Sequence, residues 1–148
     1  MAVQERSTTT VWTGDIKSGS GVLTAGTGAF SGLGIAAATR FGEPNGSTSP
    51  EEMIAAAHSG CYAMNLAATL SANGTPPESI DAKSVVAVDN KPGGGFQVTT
   101  SKLTVSAKVP GISEEDFQRL AKQAEETCPI SNALRGNLEI SLDATLVS

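Results

Sequence analysis

Regular alternation of apolar and polar residues predicts several strands. Apolar residues occupy every second position over 103–109 and again over 138–146. A period of two places one side of a strand in a core and the other toward solvent. Turn residues between β-rich segments also predict a strand–turn–strand unit over 8–24, and a hairpin that joins strands over 80–89 and 96–108.

The longest apolar segment is predicted to be a helix. Ser49-Pro50-Glu51-Glu52 combines a capping serine, a proline suited to the first helical position and a glutamate three residues after the cap. Residues 53–72 contain no charged side chain, and the following Asn73-Gly74 is a typical helix end. The segment is long enough to span a bilayer, but it is rich in alanine and contains several polar residues, so we interpret it as a buried helix. A helix that is apolar on all sides must be covered by protein, and a second copy of the chain is the natural cover.

The remaining segments complete an α+β pattern. Ser113-Glu114-Glu115-Asp116 predicts a second helix, with its apolar stripe at Phe117, Leu120, Ala121 and Ala124, that ends or kinks at Cys128-Pro129 before a short helical turn over 129–134. Residues 25–49 are predicted to be mostly loop, with an extended piece around Ala37–Phe41. Residues 32–37 match a GxGxxA pattern, but the strand before it and the helix after it that a dinucleotide site needs are not predicted. We therefore expect one domain over 1–148, with antiparallel sheets around a long central apolar helix.

Charge and composition exclude several classes of function. The net charge is −5 and the ten basic residues form no cluster, which argues against nucleic acid and anionic membranes as partners. Two cysteines and one histidine do not suit a disulfide scaffold or a metal site, and no cofactor is expected. The N-terminal residues lack the apolar stretch of a secretory signal, so we expect a cytoplasmic location, where a disulfide is more often catalytic than structural.

Two cysteines are candidates for chemistry, and local physics leaves their roles open. Cys61 lies within the apolar helix, where burial raises a thiol pKa unless a fixed cation is near. Cys128 precedes Pro129, and a helix N-terminus there would favour its thiolate, so it looks the more nucleophilic of the two. His58 lies three residues before Cys61 on the same helical face, either as an acyl-transfer base or, as we prefer, as a neutral core or interface histidine. Arg40 lies in an uncharged stretch, facing either a pocket or solvent.

Three segments of the chain together resemble a known family. They are Thr39-Arg40-Phe41, then the run from Ser49-Pro50-Glu51-Glu52 to His58-Ser59-Gly60-Cys61, and finally Cys128-Pro129-Ile130-Ser131. These motifs are similar to the osmotically inducible protein C branch of the OsmC/Ohr peroxidases. His58, in place of an aromatic residue, favours that branch over the organic hydroperoxide resistance branch.

The resemblance implies a thiol peroxidase of the osmotic and oxidative stress response. Cys61 corresponds to the peroxidatic cysteine, Cys128 to the resolving cysteine, Arg40 to the arginine that holds the thiolate and Glu51 to the glutamate that orients it. The family forms intertwined homodimers, reduces organic hydroperoxides better than hydrogen peroxide, and is recycled by small or lipoyl dithiols.

One geometric check bears on these roles. On a straight helix, Glu51 and Cys61 are separated by roughly 15 Å along the axis, too far for one Arg40 to bond both easily. Either the helix begins after Glu51, or Arg40 and Glu51 come from a partner chain, which we favour. Two other functions stay open at this point: a Cys–His acyl-transfer enzyme, and a non-catalytic redox-responsive stress protein.

Overall fold

A computed structural model describes residues 3–148 as two compact units, 3–50 and 51–148. The elements of the first unit, in chain order, are β1 (Thr8–Thr13), β2 (Ser20–Ala25), β3 (Leu33–Ile35) and α1 (Ala37–Arg40). Those that follow are α2 (Pro50–Ala72), β4 (Ser79–Asn90), β5 (Phe96–Lys108), α3 (Glu114–Thr127), α4 (Pro129–Leu134) and β6 (Glu139–Val147). This is an α+β fold, as predicted.

The first unit is a small antiparallel sheet of order β1-β2-β3. Strand β1 is exposed along its whole length, while β2 alternates and buries Leu23 and Ala25. The predicted strand–turn–strand is confirmed, with the Asp15 carboxylate accepting backbone N–H groups of Lys17 and Ser18 in the turn.

The predicted extended piece around Ala37–Phe41 is wrong, because Ala37–Arg40 is the single helical turn α1. The Arg40 N–H donates to the Ala36 carbonyl at 3.0 Å, and the Thr39 hydroxyl donates to the same oxygen at 3.1 Å. Extended backbone occurs just before this turn, in β3. That strand lies within the GxGxxA pattern, an arrangement different from a dinucleotide-binding turn.

The sheet of the second unit has order β4-β5-β6 and is mixed rather than purely antiparallel. Strands β4 and β5 form the predicted antiparallel hairpin, whereas β6 pairs with β5 in parallel. The reason is the crossover through α3 and α4, which returns the chain to the end of the sheet where β5 began. Alternation along a strand is the same in both directions, so it could not predict this pairing.

Helix α2 begins at Pro50 and ends at Ala72, the bounds that its capping pattern predicts. Gly74 has φ +81°, and the Thr75 N–H donates to the Leu70 carbonyl, which together form a Schellman-type end. Within the described chain, one stripe of the helix is buried, formed by His58, Tyr62, Leu66 and Leu70. The opposite side stays open, with Met64 76% exposed.

One face of the sheet, α2 and α3 form the core of the second unit. The predicted apolar stripe of α3 is confirmed, as is the buried face of β5. The central residues are Tyr62, Leu66 and Leu70 of α2, Leu103, Val105 and Ala107 of β5, and Phe117, Leu120, Ala121 and Ala124 of α3. Cys128 belongs to the same core. Within residues 3–148, none of the helices combines the length and hydropathy that crossing a bilayer demands.

Candidate active site

Helix α2 presents a row of polar and sulfur-containing side chains to the segment that joins α3 and α4. His58, Cys61 and Asn65 follow one another at spacings of three and four residues, so they share one face of the helix. Cys128 lies opposite them, as the last cap residue of α3 and the first of α4. Residues that are 67 positions apart in sequence thus meet because α2 packs against α3.

The two cysteines are free, and both belong to or pack against the core between α2 and α3. The Cys128 side chain and the Ile130 backbone N–H lie near enough to Cys61 to shift the pKa of its thiol. The sequence alone could not show whether the two sulfur atoms begin near each other. The two thiols therefore lie near each other in the folded chain.

The surroundings of Cys61 raise the pKa of its thiol. Burial is the largest cause, and the neighbouring Cys128 adds to it, while the Ile130 N–H acts in the opposite direction by stabilising the thiolate. The prediction that the apolar setting of Cys61 disfavours its thiolate is therefore confirmed. A reactive Cys61 needs a positive charge in addition to the groups of its own unit.

The two thiols differ in solvent exposure, and this difference favours Cys61, whereas the helix N-terminus favours Cys128. Cys128 is fully buried in the chain, whereas Cys61 is only partly buried. A molecule from solution can reach a thiol only where it is exposed. Cys61 is therefore the more accessible of the two thiols, although Cys128 lies at a helix N-terminus.

His58 is a buried, neutral histidine whose two ring nitrogens are both engaged. Its Nδ1 lies 2.6 Å from Ser101 Oγ and its Nε2 lies 2.8 Å from Ser131 Oγ. Ser101 Oγ continues the chain of hydrogen bonds to Ser84 Oγ, at 3.0 Å. Burial is the main reason why the pKa of His58 is lowered, so the ring is uncharged at neutral pH. The interpretation of His58 as a core histidine is supported, because neither ring nitrogen is left to accept a proton from Cys61.

Further contacts hold the α3–α4 junction. The Asn65 amide donates to the Ala124 carbonyl at 2.7 Å and to Thr127 Oγ1 at 2.8 Å. Across the junction, Arg135 Nη2 and Glu125 Oε1 form an ion pair of 2.8 Å. The Asn65 bonds therefore hold the end of α3 against α2, and the Arg135–Glu125 pair joins the two sides of the α3–α4 junction.

Arg40 and Glu51 are candidate residues whose role stays a prediction. Arg40 ends α1 in the first unit, half-buried, with its guanidinium carbon 5.0 Å from the centre of the Phe41 ring. Glu51 is buried in the first turn of α2, and α2 is one continuous helix that contains both Glu51 and Cys61. The alternative that the helix begins after Glu51 is therefore wrong. The alternative that a partner chain supplies Arg40 and Glu51 remains.

Sequence reasoning missed three contributors to the site. Asn65 follows Cys61 by one helical turn, a spacing that could have identified it. Ser131 belongs to the Cys128-Pro129-Ile130-Ser131 motif, but the resemblance assigns it no role. The Ile130 N–H leaves no trace in side-chain chemistry. Among the residues described, no group of histidine, cysteine and carboxylate side chains is arranged to hold a metal ion.

Comparison with known proteins gives these features a context. The sequence model of the family described as OsmC-like protein matches residues 42–143. The chain is 38% identical to peroxiredoxin OsmC of Escherichia coli over 137 residues, covering 93% of each protein. It is also 35% identical over 98 residues to an organic hydroperoxide resistance protein of Xanthomonas axonopodis pv. citri, covering 64% of this chain and 65% of the relative.

Solved structures agree on the fold. The crystal structure of an organic hydroperoxide resistance protein from Elizabethkingia anophelis superposes with a TM-score of 0.79 at 23% identity, covering 99% of both chains. An OsmC-like protein from Mycoplasma pneumoniae gives a TM-score of 0.77 at 18% identity, covering 98% of this chain and 99% of that one.

Proposed function

The chain belongs to the OsmC-like protein family, and from that premise we propose that it is a cysteine-based peroxidase that reduces organic hydroperoxides and, more weakly, hydrogen peroxide. The observation that carries the proposal is that a partly exposed Cys61 lies near a buried Cys128. The names of its relatives, peroxiredoxin and organic hydroperoxide resistance protein, support the same chemistry.

The reaction cycle proceeds in two steps. The Cys61 thiolate attacks one peroxide oxygen, the O–O bond breaks, and the departing oxygen takes up a proton and leaves as the alcohol or water. Cys61 becomes a sulfenic acid. The Cys128 sulfur then attacks the Cys61 sulfur, the S–S bond forms, and the sulfenic hydroxyl leaves with a proton as water. The cycle closes when a small or lipoyl dithiol reduces the disulfide and becomes a disulfide itself.

Arg40 and Glu51 complete the proposed site. The Arg40 guanidinium supplies the positive charge that the Cys61 thiolate lacks in its own unit, and it stabilises charge developing on the peroxide oxygens. Glu51 orients the guanidinium through a charge-assisted hydrogen bond. Since Glu51 and Cys61 are far apart along one helix, we assign Arg40 and Glu51 to the partner chain of an intertwined homodimer.

The unburied side of α2 supports the dimer. Met64 is 76% exposed there, and the small residues Ala56, Ala57 and Gly60 are exposed as well. A long apolar helix with small residues on its open side permits a second protein surface to approach closely. A cytoplasmic location accords with the cycle, because thiols there are kept reduced between turnovers.

The two other functions are less well supported. An acyl-transfer enzyme would need His58 as the base for Cys61, yet both of its ring nitrogens face serine hydroxyls. A redox-responsive protein without catalysis would use the same disulfide, but it would consume one equivalent of peroxide per site and then stop.

The test is consumption of tert-butyl hydroperoxide by the full chain, with dihydrolipoamide or dithiothreitol as the reductant and intact mass as the record of the disulfide. We expect sustained turnover and a Cys61–Cys128 disulfide that the dithiol removes. Cys61→Ser should lower the rate on the order of a thousandfold or more, because the nucleophile itself is lost. Cys128→Ser should retain the first turnover and then accumulate over-oxidised Cys61.

Other results would contradict the proposal. Normal turnover by Cys61→Ser would exclude the mechanism. A single equivalent of peroxide consumed, with every reductant tried, would favour the redox-responsive protein.

A further inference from the structure

We propose that Asn65 and His58 are positioning residues that hold the Cys128 segment against Cys61 from both sides, so that the disulfide forms before a second peroxide attacks. The inference rests on the proposed function for its chemistry. It concerns a step that the two cysteines alone do not determine, namely how quickly the sulfenic acid is resolved. We call the two contacts, Asn65 to Ala124 and Thr127, and His58 to Ser131, the Cys128 clamp.

The first arm of the clamp holds the chain just before Cys128. Asn65 lies four residues after Cys61 on the same face of α2. Its amide donates to the Ala124 carbonyl at 2.7 Å and to Thr127 Oγ1 at 2.8 Å. Since the last carbonyls of a helix lack partners within it, the Asn65 amide also caps α3.

The second arm holds the chain just after Cys128. His58 lies three residues before Cys61, and its Nε2 pairs with Ser131 Oγ at 2.8 Å. Its other nitrogen pairs with Ser101 of β5 at 2.6 Å, so this arm is anchored to the sheet as well as to α2. Both His58 and Ser131 are fully buried, which shields these bonds from competition with water.

The short segment between the two arms carries the groups that face Cys61. Cys128 supplies the attacking sulfur, and the Ile130 N–H lies near enough to Cys61 to lower the pKa of its thiol. The Cys128 side chain makes no capping hydrogen bond to α4, so the position of its sulfur depends on the backbone around it. A misplacement of about 1 Å can slow a reaction between positioned groups on the order of a hundredfold.

The clamp therefore controls a competition. The Cys61 sulfenic acid reacts either with Cys128 to give the disulfide, or with another hydroperoxide to give a sulfinic acid. A loosened segment slows only the first of these reactions. The share of sulfinic acid at a fixed hydroperoxide concentration reports on the clamp, whereas loss of stability alone would not alter it in the folded protein.

The test compares variants of each arm with a matched control. Asn65→Leu removes the first arm and Ser131→Ala the second, while Asn65→Asp keeps the size of the side chain but has no N–H to donate. Gln118→Ala is the control. The amide of Gln118, a residue of α3, also donates two hydrogen bonds, to Glu114 at 2.9 Å and to the Ala144 carbonyl of β6 at 2.8 Å. Those bonds lie toward the opposite end of α3 from Cys128.

We expect disulfide closure after a hydroperoxide pulse to slow about tenfold in each arm variant, and further when the two are combined. The sulfinic share should rise in proportion, and Gln118→Ala should match the parent chain. Closure in Asn65→Leu, Asn65→Asp and Ser131→Ala as fast as in the control would overturn the clamp. Repeating the measurement with diamide, which oxidises thiols without a peroxide, tests the clamp even if the chain reduces no hydroperoxide. Failure of the clamp and failure of the proposed function are thereby distinguished.

Discussion

Cys61 and Cys128 lie near each other, yet their surroundings differ. Cys61 lies on the middle of a long regular helix, partly exposed, with its backbone position fixed by hydrogen bonds along α2. Cys128 is fully buried at a break between two helices, and its backbone is extended, with φ −65° and ψ 122°. One thiol is accessible on a rigid element, and the other is inaccessible on a junction that side chains must hold in place.

The difference separates the requirements of two chemical steps. A thiol that meets a substrate from solution needs access and a charge that favours its thiolate. A thiol that reacts only with its neighbour needs position, and burial does not hinder it. Burial raises the Cys61 pKa, so the accessible thiol depends on a nearby cation for its thiolate.

Replacing Arg40 is the strongest way to break this division of roles short of removing a cysteine. Arg40→Gln removes the guanidinium that we propose opposes the upward effect of burial on the Cys61 pKa. We expect hydroperoxide reduction at neutral pH to fall on the order of ten- to a hundredfold, and to recover as the pH rises. Alkylation of Cys61 by iodoacetamide as a function of pH, in a Cys128→Ser background, measures the shift directly.

The matched control for Arg40 is Arg119→Gln. Arg119 forms an exposed ion pair with Asp116 at 2.8 Å on α3, so its loss changes the net charge equally without removing the proposed partner of Cys61. If Arg40→Gln and Arg119→Gln gave the same Cys61 pH profile, Arg40 would have no specific role.

Replacing His58 tests whether the buried imidazole that contacts Ser131, just after Cys128, is uncharged. Burial lowers the pKa of His58 below its usual value of 6.5, so the unfolded chain takes up a proton at a pH where the folded chain resists it. The stability contributed by the neutral ring is present above the unfolded pKa and is lost as the pH falls through the folded pKa. His58→Leu should therefore cost about 1–3 kcal/mol of unfolding free energy near neutral pH, and the gap from the parent should narrow as the pH is lowered toward about 5.

Urea unfolding at several pH values measures that gap. Ser84→Ala is the control, since it removes the far end of the hydrogen-bond chain, at Ser101, and keeps the imidazole. The loss of unfolding free energy in Ser84→Ala should be the same at every pH, because this variant removes no group that titrates in this range. A gap for His58→Leu that stayed constant with pH would mean that the ring is not held in its neutral form.

The sequence predicted the regular elements better than the contacts of the site. The capping residues around Pro50 and the Asn73-Gly74 stop act locally, and so the bounds of α2 were correct. Four residues of α1 are too few to show a helical period, and the direction of β6 depends on a crossover rather than on its own residues.

The pairing of Cys61 with Cys128 came from resemblance, because no local rule connects residues so far apart in the chain. The two arms of the clamp had the same limit. Asn65 and Thr127 meet only because two helices pack together. A histidine three residues before a cysteine is also compatible with a dyad, and the serine partners of both ring nitrogens support the preferred interpretation of a neutral core histidine.

The smallest expected effect concerns the end of α3 that lies away from Cys128. Ser113 caps the helix by accepting the Asp116 N–H at 3.1 Å, and Ser113→Ala should cost about 1 kcal/mol of unfolding free energy. Ser71→Ala, an exposed position within α2, is the control and should leave stability nearly unchanged. Because Ser113 stabilises α3 without touching the junction, disulfide closure in the folded variant should keep the parent rate. Slower closure in Ser113→Ala would mean that the general stability of α3 positions Cys128. The contacts of the Cys128 clamp would then have no specific role.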